Sequence, residues 1–408
     1  MKFLVQKFGG TSLVTPQLRD RLADKVREAK EAGFTPVVVV SAMGRKGDPY
    51  ATDTLLSLAA DEEWDIPPRE KDLLMSCGEI ISGVVVAAAL RRRAIPAAFL
   101  TGGQAGIVTD GSHNDARILR VDPTRIFDVT REGKVPVIAG FQGITETGEI
   151  TTLGRGGSDT TAAAVAVALN AEAVDIYTDV EGIMAADPQI VTEARPLEVV
   201  TYNELCQLAH EGARVVHPRA VEIAMQKNIP LRVRSIFSDA PGTLVTNHAA
   251  VYPGAIDITR DKIITGITYV CGITQFRIDT PNALTSSEAH LKVFRGLALA
   301  GISVDLINVQ PEAMLFTVKD EVAAKARAVL VNLGFEPVVR PGCAKIAAVG
   351  GGMTGVPGVM AGIVEALAKE GINILQSADS HTTIWVLVRR EDMERAIRAL
   401  YTYFKLGE

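Results

Sequence analysis

The 408-residue sequence has little of several features that mark whole classes of protein. Its four cysteines are far apart, with no CxxC pair and no Cys/His cluster, which argues against zinc sites and disulfide frameworks. No apolar run approaches the ~18 residues of a membrane-spanning helix, and the N-terminus lacks a signal-peptide layout. The net charge of -6 is not the basic excess of a general nucleic-acid binder. These absences predict a reduced, cytoplasmic, soluble protein that binds neither nucleic acid nor membrane.

Aromatic residues are also scarce, at 5%, so valine, isoleucine and alanine carry the apolar content. Over the first 240 residues, short Val/Ile runs without polar alternation are separated by helical patterns, as expected for parallel strands buried on both faces. The strand-like runs are 2–7, 35–41, 97–100, 135–139 and 173–178. Strands alternating with helices predict a mainly parallel, doubly wound α/β domain over residues 1–242.

An internal repeat dominates the remainder of the chain. Residues 297–309 align with 367–379 at an offset of 70, so that Gly301 matches Gly371. Each unit has the pattern strand–helix–strand–strand–helix, which predicts two small ferredoxin-like βαββαβ modules at 262–335 and 343–408. Such paired modules behind a catalytic domain are more often regulatory than merely structural.

Two glycine-rich turns, each between a strand and a helix, are candidate anion sites. Residues 7–12 (KFGGTS) place a lysine before two glycines that allow close backbone approach to a phosphate, although many such turns are only turns. Residues 153–161 (LGRGGSDTT) precede an Ala-rich helix that Ser158, Asp159 or Thr160 can cap. Arg155 is not needed for capping, and its guanidinium suits a carboxylate or phosphate.

Acidic residues follow at other element ends. Thr178 and Asp179 end a predicted strand, where ligands bind in open α/β sheets, and could face a nucleotide or its metal. Glu79 is predicted to open a long apolar helix, where capping and acceptance from an ammonium group are equally favoured. Residues 44–53 form a polar loop that could act as a lid. The combination is what phosphoryl transfer requires, with Mg²⁺ across the phosphates.

The motifs KFGGTS, LGRGGSDTTA, YTDVEGIMAADP and GARVVHP, together with the tandem repeat, resemble the aspartokinases over essentially the whole chain. The resemblance implies an amino-acid-kinase fold, a three-layer α/β sandwich with a mainly parallel sheet, followed by two ACT modules. It implies transfer of the ATP γ-phosphoryl group to the β-carboxylate of L-aspartate, and feedback control by end products of the pathway. A related kinase for another acid and a non-enzymatic amino-acid sensor remain alternatives.

Residue roles are carried over by the same resemblance. It places Lys7, Phe8, Gly9, Gly10, Ser41, Thr178, Asp179, Ile183, Met184 and Arg214 at ATP. It places Thr52, Glu79, Arg155 and Ser158 at aspartate, with Asp159 orienting Lys7. The candidate effector residues are Asn308, Val309, Val359, Ile372 and Asn373.

The sequence departs from the family pattern at two positions. Gln189 stands where the family often has arginine, and Arg214 where it often has lysine, which puts ATP affinity rather than the reaction in question. Residues 46–56 and 376–388 look most like diaminopimelate-sensitive aspartokinases, with lysine and threonine as alternative effectors. A homodimer joined through the ACT modules is expected.

Overall fold

The computed structural model describes residues 1–59, 66–213, 215–247, 263–280, 285–353 and 356–408. The described residues form two compact units. The first lies within Met1–Ile183, Pro196–Ala209 and Arg214–Ile256, and the second within Met184–Arg195, His210–Ala213 and Asp257–Glu408. Two short stretches from the middle of the chain therefore belong with the C-terminal unit.

A large sheet organises the first unit. In spatial order its strands are β10 (Val199–Thr201), β12 (Thr243–Thr246), β11 (Leu231–Ser235), β9 (Ala173–Thr178), β1 (Phe3–Phe8), β2 (Thr35–Val40), β6 (Val135–Ala139) and β3 (Ala97–Leu100). Neighbours are parallel, except that β11 and β12 are antiparallel. The fold class predicted from the alternating runs is thus confirmed.

A smaller sheet and seven helices complete this part of the described chain. The small sheet has the order β5 (Ile118–Val121), β4 (Ile107–Thr109), β7 (Gln142–Ile144) and β8 (Ile150–Thr152). The helices are α1 (Pro16–Glu31), α2 (Thr52–Ser57), α3 (Pro68–Arg92), α4 (Thr124–Arg131), α5 (Gly157–Leu169), α6 (Tyr202–His210) and α7 (Pro218–Gln226). The small side chains of α5 allow this helix to pack closely against β1 and α7.

Helix α3 is long and apolar enough to cross a membrane by length and composition alone, a test that core helices also pass. Glycine, serine and acidic residues interrupt its apolar runs, which is why no long run stands out in the sequence. The polar side chains of Asp72, Ser76, Glu79 and Ser82 are buried within the first unit.

The second unit is built on one antiparallel sheet with the strand order β14 (Asp305–Val309), β15 (Ala313–Lys319), β13 (Gly266–Asp279), β16 (Val338–Val349), β18 (Thr383–Arg389) and β17 (Gln376–Asp379). Its helices are α8 (Ser286–Leu299), α9 (Asp320–Asn332), α10 (Val359–Lys369) and α11 (Met393–Tyr403). Stacked Phe276 and Phe316 lie in one of its apolar cores.

Strand pairing interleaves the two modules of this unit. The second half of β13 pairs with β15 and with the start of β16, as one ferredoxin-like module requires. The first half of β13 instead pairs with the end of β16, from Gly266 opposite Val349 to Cys271 opposite Ala344. The second module therefore takes its fourth strand from residues 266–271, which the sequence analysis assigned to the first module.

Candidate active site

The carboxyl ends of β1, β2 and β9 meet at one edge of the large sheet because these strands are adjacent and parallel. Lys7 lies near the end of β1, and its Nζ atom is 2.7 Å from Oδ1 of Asp159 in the first turn of α5. Both side chains are about 10% exposed. A cation is thus held at the sheet edge by a carboxylate, as the resemblance implied for Asp159.

The glycine turn after β1 lies against the turn after β2. A Cβ atom added to Gly10 would be 2.3 Å from the Ala42 carbonyl oxygen, so only glycine fits. The Gly44 amide donates to the Gly10 carbonyl at 3.1 Å, and the Ser41 amide donates to that of Phe8 at 3.2 Å. The backbone of residues 8–10 and 41–44 is therefore closely packed beside Lys7, and we call this surface the glycine floor.

The Phe8 side chain does not contribute to this floor. It is completely buried and stacks on Tyr177, with ring centroids 4.7 Å apart. Only the backbone of Phe8 is available to a ligand.

Helix α5 begins differently from the sequence prediction. The residue before it is Gly156, in the left-handed region at φ 69°, and no side chain caps the helix. The prediction that Ser158, Asp159 or Thr160 caps α5 was wrong, because the chain enters through a glycine and Asp159 pairs with Lys7 instead. Arg155 is exposed and makes no hydrogen bond or ion pair with any residue that the structure describes.

Glu79 lies inside α3 and not at its start, so the predicted capping role was wrong. Its Oε1 accepts from the Ala42 amide at 2.9 Å, while Oε2 is buried without a hydrogen-bond partner. Burial raises the pKa of Glu79 to about 8, against the lowering effect of the Ala42 amide. A buried carboxylate oxygen without a donor is suited to a cationic ligand group.

The remaining aspartate residues implied by the resemblance lie in the same unit. Thr52 is half-buried and begins α2, which packs against α3. Ser158 is buried, and its Oγ would be 2.8 Å from a Cβ added to Gly140, just beyond β6. The structure thus brings Ser158 to the ends of the central strands.

At the end of β9, Thr178 donates from Oγ1 to Asp179 Oδ1 at 3.2 Å. The other oxygen of Asp179 forms an ion pair with Arg45, from the predicted lid loop. Sequence reasoning missed Arg45, although an arginine between glycines after a buried strand was a usable signal. Asp179, the acid that follows β9, therefore already has a cationic partner.

The other predicted nucleotide residues are less connected to this edge. Ile183 is buried, and its amide donates to Thr243 Oγ1 at 2.8 Å. Met184 is half-buried and belongs to the second unit, and Arg214 lies outside the described residues. Among the described residues, no group of three or more His, Cys, Asp or Glu side chains is placed to hold a metal ion.

The candidate effector residues are dispersed in the second unit. Asn308 and Val309 lie on the outer strand β14, Ile372 is buried, and Asn373 is exposed. Val359, at the start of α10, lines a cavity of about 900 Å³. Polar residues around this cavity are Ser377, Asp379, Ser380 and His381. The structure therefore places one of the five predicted residues at a cavity.

Comparison with known proteins agrees with this architecture. Residues 2–235 match the model of the amino acid kinase family, and residues 338–402 match an ACT domain. Aspartokinase 1 of Bacillus subtilis is 50% identical over 408 residues, covering all of both chains.

Solved structures of an aspartokinase are also similar to this chain. Escherichia coli aspartokinase III in complex with aspartate and ADP has a TM-score of 0.77 at 26% identity, covering 98% of this chain and 99% of that one. The same enzyme in complex with lysine and aspartate has a TM-score of 0.76 at 26% identity, covering 99% and 100%.

The large, mainly parallel sheet, its glycine-turn edge and the family match therefore define an amino acid kinase, followed by ACT modules. Within that family the chain belongs to the aspartokinases, enzymes of amino-acid biosynthesis.

Proposed function

We propose that this aspartokinase transfers the γ-phosphoryl group of ATP to the β-carboxylate of L-aspartate, giving 4-phospho-L-aspartate. This is the first step towards diaminopimelate and lysine, threonine and methionine. The observation that carries the proposal is the juxtaposition of Lys7, held by Asp159, with the glycine floor at the ends of β1 and β2. The E. coli structure with aspartate and ADP supports the choice of substrates.

The reaction needs electrostatics more than acid–base chemistry. A β-carboxylate is already anionic near neutral pH, so no general base is required to generate the nucleophile. The obstacle is repulsion between that carboxylate and the triphosphate. The ammonium group of Lys7 and the backbone N–H groups of the glycine turns would offset this repulsion. Mg²⁺ would enter with ATP as part of the substrate and neutralise further phosphate charge.

Aspartate would be recognised at its two other charged groups. The exposed guanidinium of Arg155 is proposed to bind the α-carboxylate, assisted by Ser158. The unpartnered Oε2 of Glu79 is proposed to accept from the α-ammonium group, with Thr52 nearby. Opposite charges at two separate points would orient the β-carboxylate towards the phosphates.

The nucleotide would lie along the edge formed by β1, β2 and β9. Residues proposed to line it are Lys7, Phe8, Gly9, Gly10, Ser41, Thr178, Asp179, Ile183, Met184 and Arg214. The ion pair of Arg45 with Asp179 brings one more cation to this edge.

Substitution at the two cations separates their roles. Lys7→Ala should lower kcat at least ~10²-fold, the scale of losing one electrostatic stabiliser. Arg155→Ala should instead raise KM for aspartate far more than KM for ATP. Steady-state kinetics with each substrate varied in turn would check both. Near-normal turnover of Lys7→Ala, or an equal effect of Arg155→Ala on the two KM values, would remove that residue from its proposed role.

We propose further that an amino-acid effector binds the ACT modules. The cavity at Val359 combines the start of α10 with Asp379 and two serines, which suits both charged ends of an amino acid. Asn308, Val309, Ile372 and Asn373 remain candidates where modules of two chains would meet. Exposed apolar side chains on this unit, including Leu291 and Leu299, support a homodimer formed through the modules.

The effector can be identified by measuring ATP- and Mg²⁺-dependent aspartyl hydroxamate formation. The assay would be run alone and with meso-diaminopimelate, L-lysine or L-threonine. Suppression by meso-diaminopimelate is expected. Suppression by lysine or threonine would reassign the effector, and turnover that none of them changes would contradict the regulatory proposal while leaving the kinase intact.

A further inference from the structure

Asp72 of α3 is a buried carboxylate outside the set of predicted site residues, and its side chain is completely inaccessible to solvent. Its Oδ2 accepts a hydrogen bond from His113 Nδ1 at 2.7 Å. The Asn114 amide donates to the carboxyl group at 3.1 Å, and the Thr152 hydroxyl donates as well. No lysine or arginine of the described chain pairs with it. Three donors from two segments of the chain therefore converge on one buried carboxyl group.

These hydrogen bonds fix the loop formed by residues 110–116. Asn114 has a left-handed backbone at φ 69°, a conformation that asparagine adopts more readily than most residues. The hydrogen bond from its amide to Asp72 holds this turn of the loop against α3. The Ala116 amide donates to the Thr152 carbonyl at 2.9 Å, which ties the loop to the end of β8.

The fixed loop lies directly behind the turn that carries Arg155. A Cβ atom added to Gly154 would be 2.8 Å from Asp115 Oδ1 and 3.3 Å from the Asn114 carbonyl oxygen. Arg219 of α7 donates to the Leu153 carbonyl and to Asp115, each at 3.0 Å. The residue immediately before Arg155 is thus packed against the loop, while the Arg155 side chain is left exposed.

The same helix carries Glu79 seven residues after Asp72, about two helical turns further along the buried face. One carboxylate of α3 has an oxygen without a hydrogen-bond partner, and the other holds the loop next to the turn that carries Arg155. Both proposed contacts to the charged groups of aspartate therefore take their position from one rigid helix.

We propose that Asp72 is a positioning residue for aspartate. Acting through His113, Asn114 and Thr152, it fixes Arg155 at the distance from Glu79 that the α-carboxylate and α-ammonium groups require. This inference rests on the role proposed above for Arg155.

The first test is Asp72→Asn, which preserves shape but replaces one of the two accepting oxygens with an amide group that only donates. KM for aspartate should rise about tenfold, with little change in KM for ATP. Asp175→Asn is a matched control, since Asp175 is also a buried carboxylate of this unit but pairs with Arg232 on β11. It should lower Tm without a rise specific to aspartate.

A double-mutant cycle with Arg155→Ala separates positioning from general damage. If Asp72 acts through Arg155, Asp72→Asn should raise KM for aspartate little further in the Arg155→Ala background. Fully additive effects, or equal changes in both KM values, would overturn the inference.

A second variant covers failure of Asp72→Asn to fold. His113 is partly exposed, so His113→Ala removes one donor at lower risk and should raise KM for aspartate in the same direction. An unchanged KM would overturn the inference. If Arg155→Ala alone leaves KM for aspartate unchanged, the proposed substrate contact fails, and the proposed role of Asp72 fails with it. If Arg155→Ala raises KM for aspartate strongly and Asp72→Asn does not change it, only the proposed role of Asp72 is overturned.

Discussion

At the scale of single residues, Glu79 combines an arrangement suited to ligand binding with a loss of stability of the folded protein. One of its oxygens is buried without a donor, and burial raises its pKa to about 8. Between about pH 4.5, the ordinary pKa of glutamate, and about pH 8, Glu79 therefore keeps its proton in the folded protein but loses it in the unfolded chain. The free energy of unfolding should consequently fall as pH rises from about 4.5 to about 8.

Glu79→Gln should remove this pH dependence because glutamine does not ionise. Near pH 8 the variant is expected to be more stable than the parent by about 1–3 kcal/mol, yet to bind aspartate poorly. Thermal unfolding at pH 6 and pH 8.5, with KM for aspartate, would check this. Glu70→Gln, at an exposed position of the same helix, is the control. Parallel pH profiles for parent and Glu79→Gln would contradict the argument.

At the scale of elements, the site depends on how closely two strand ends approach. Adjacent glycines of one turn differ sharply in the space around them. A Cβ atom on Gly10 would be 2.3 Å from the Ala42 carbonyl oxygen, whereas the nearest atoms to a Cβ on Gly9 are 3.6 Å away. Gly9 has φ -69°, so alanine there meets no backbone strain either.

Gly10→Ala should therefore force the β1 and β2 turns apart and destabilise the protein by about 1–3 kcal/mol, the usual cost of overpacking. It should also lower kcat, because the Lys7 end of the site moves. Gly9→Ala is the internal comparison and should cost much less stability. Melting temperatures and kcat of both variants provide the test, and equal losses of stability would show that backbone proximity is not the reason for Gly10.

At the scale of the whole molecule, two segments from the middle of the chain are built into the regulatory unit. The Tyr269 hydroxyl donates to Asp187 at 3.0 Å, and Arg398 donates to the Ile190 carbonyl at 3.0 Å. Lys345 pairs with Glu211 at 2.9 Å and with Asp305 of β14 at 2.6 Å. Burial alone would lower the pKa of Lys345, but these two carboxylates outweigh it and raise the pKa. Two stretches of the chain between the predicted nucleotide residues Ile183 and Arg214 thus belong to the unit that carries the ACT modules.

Lys345→Met should weaken feedback inhibition while preserving turnover without effector. The substitution leaves the Glu211 carboxylate buried without its cation and frees the turn at 210–213 from β16. Inhibition curves with the effector, together with kcat in its absence, would check this. Lys369→Met, an exposed lysine paired with Glu365 on α10, is the control. An unchanged inhibition curve for Lys345→Met would exclude this ion pair from the coupling.

The sequence by itself determined five strands of the large sheet, the fold class and the family. Unbroken Val/Ile runs specify β1, β2, β6 and β9 locally, since a strand buried on both faces needs nothing else. The glycine turns lie within single short motifs, so Lys7 and Arg155 could be proposed as site residues without a structure.

Only the tertiary structure decided relations between distant segments. Asp72 meets partners 41 to 80 residues away, and Arg45 meets Asp179 across 134 residues. The long strands β13 and β16 pair along both halves and interleave the two modules. The position of Glu79 inside α3 follows from where that helix begins, at Pro68. Local sequence patterns do not predict such contacts, because the contacts form only when packing of the buried faces brings separate elements together.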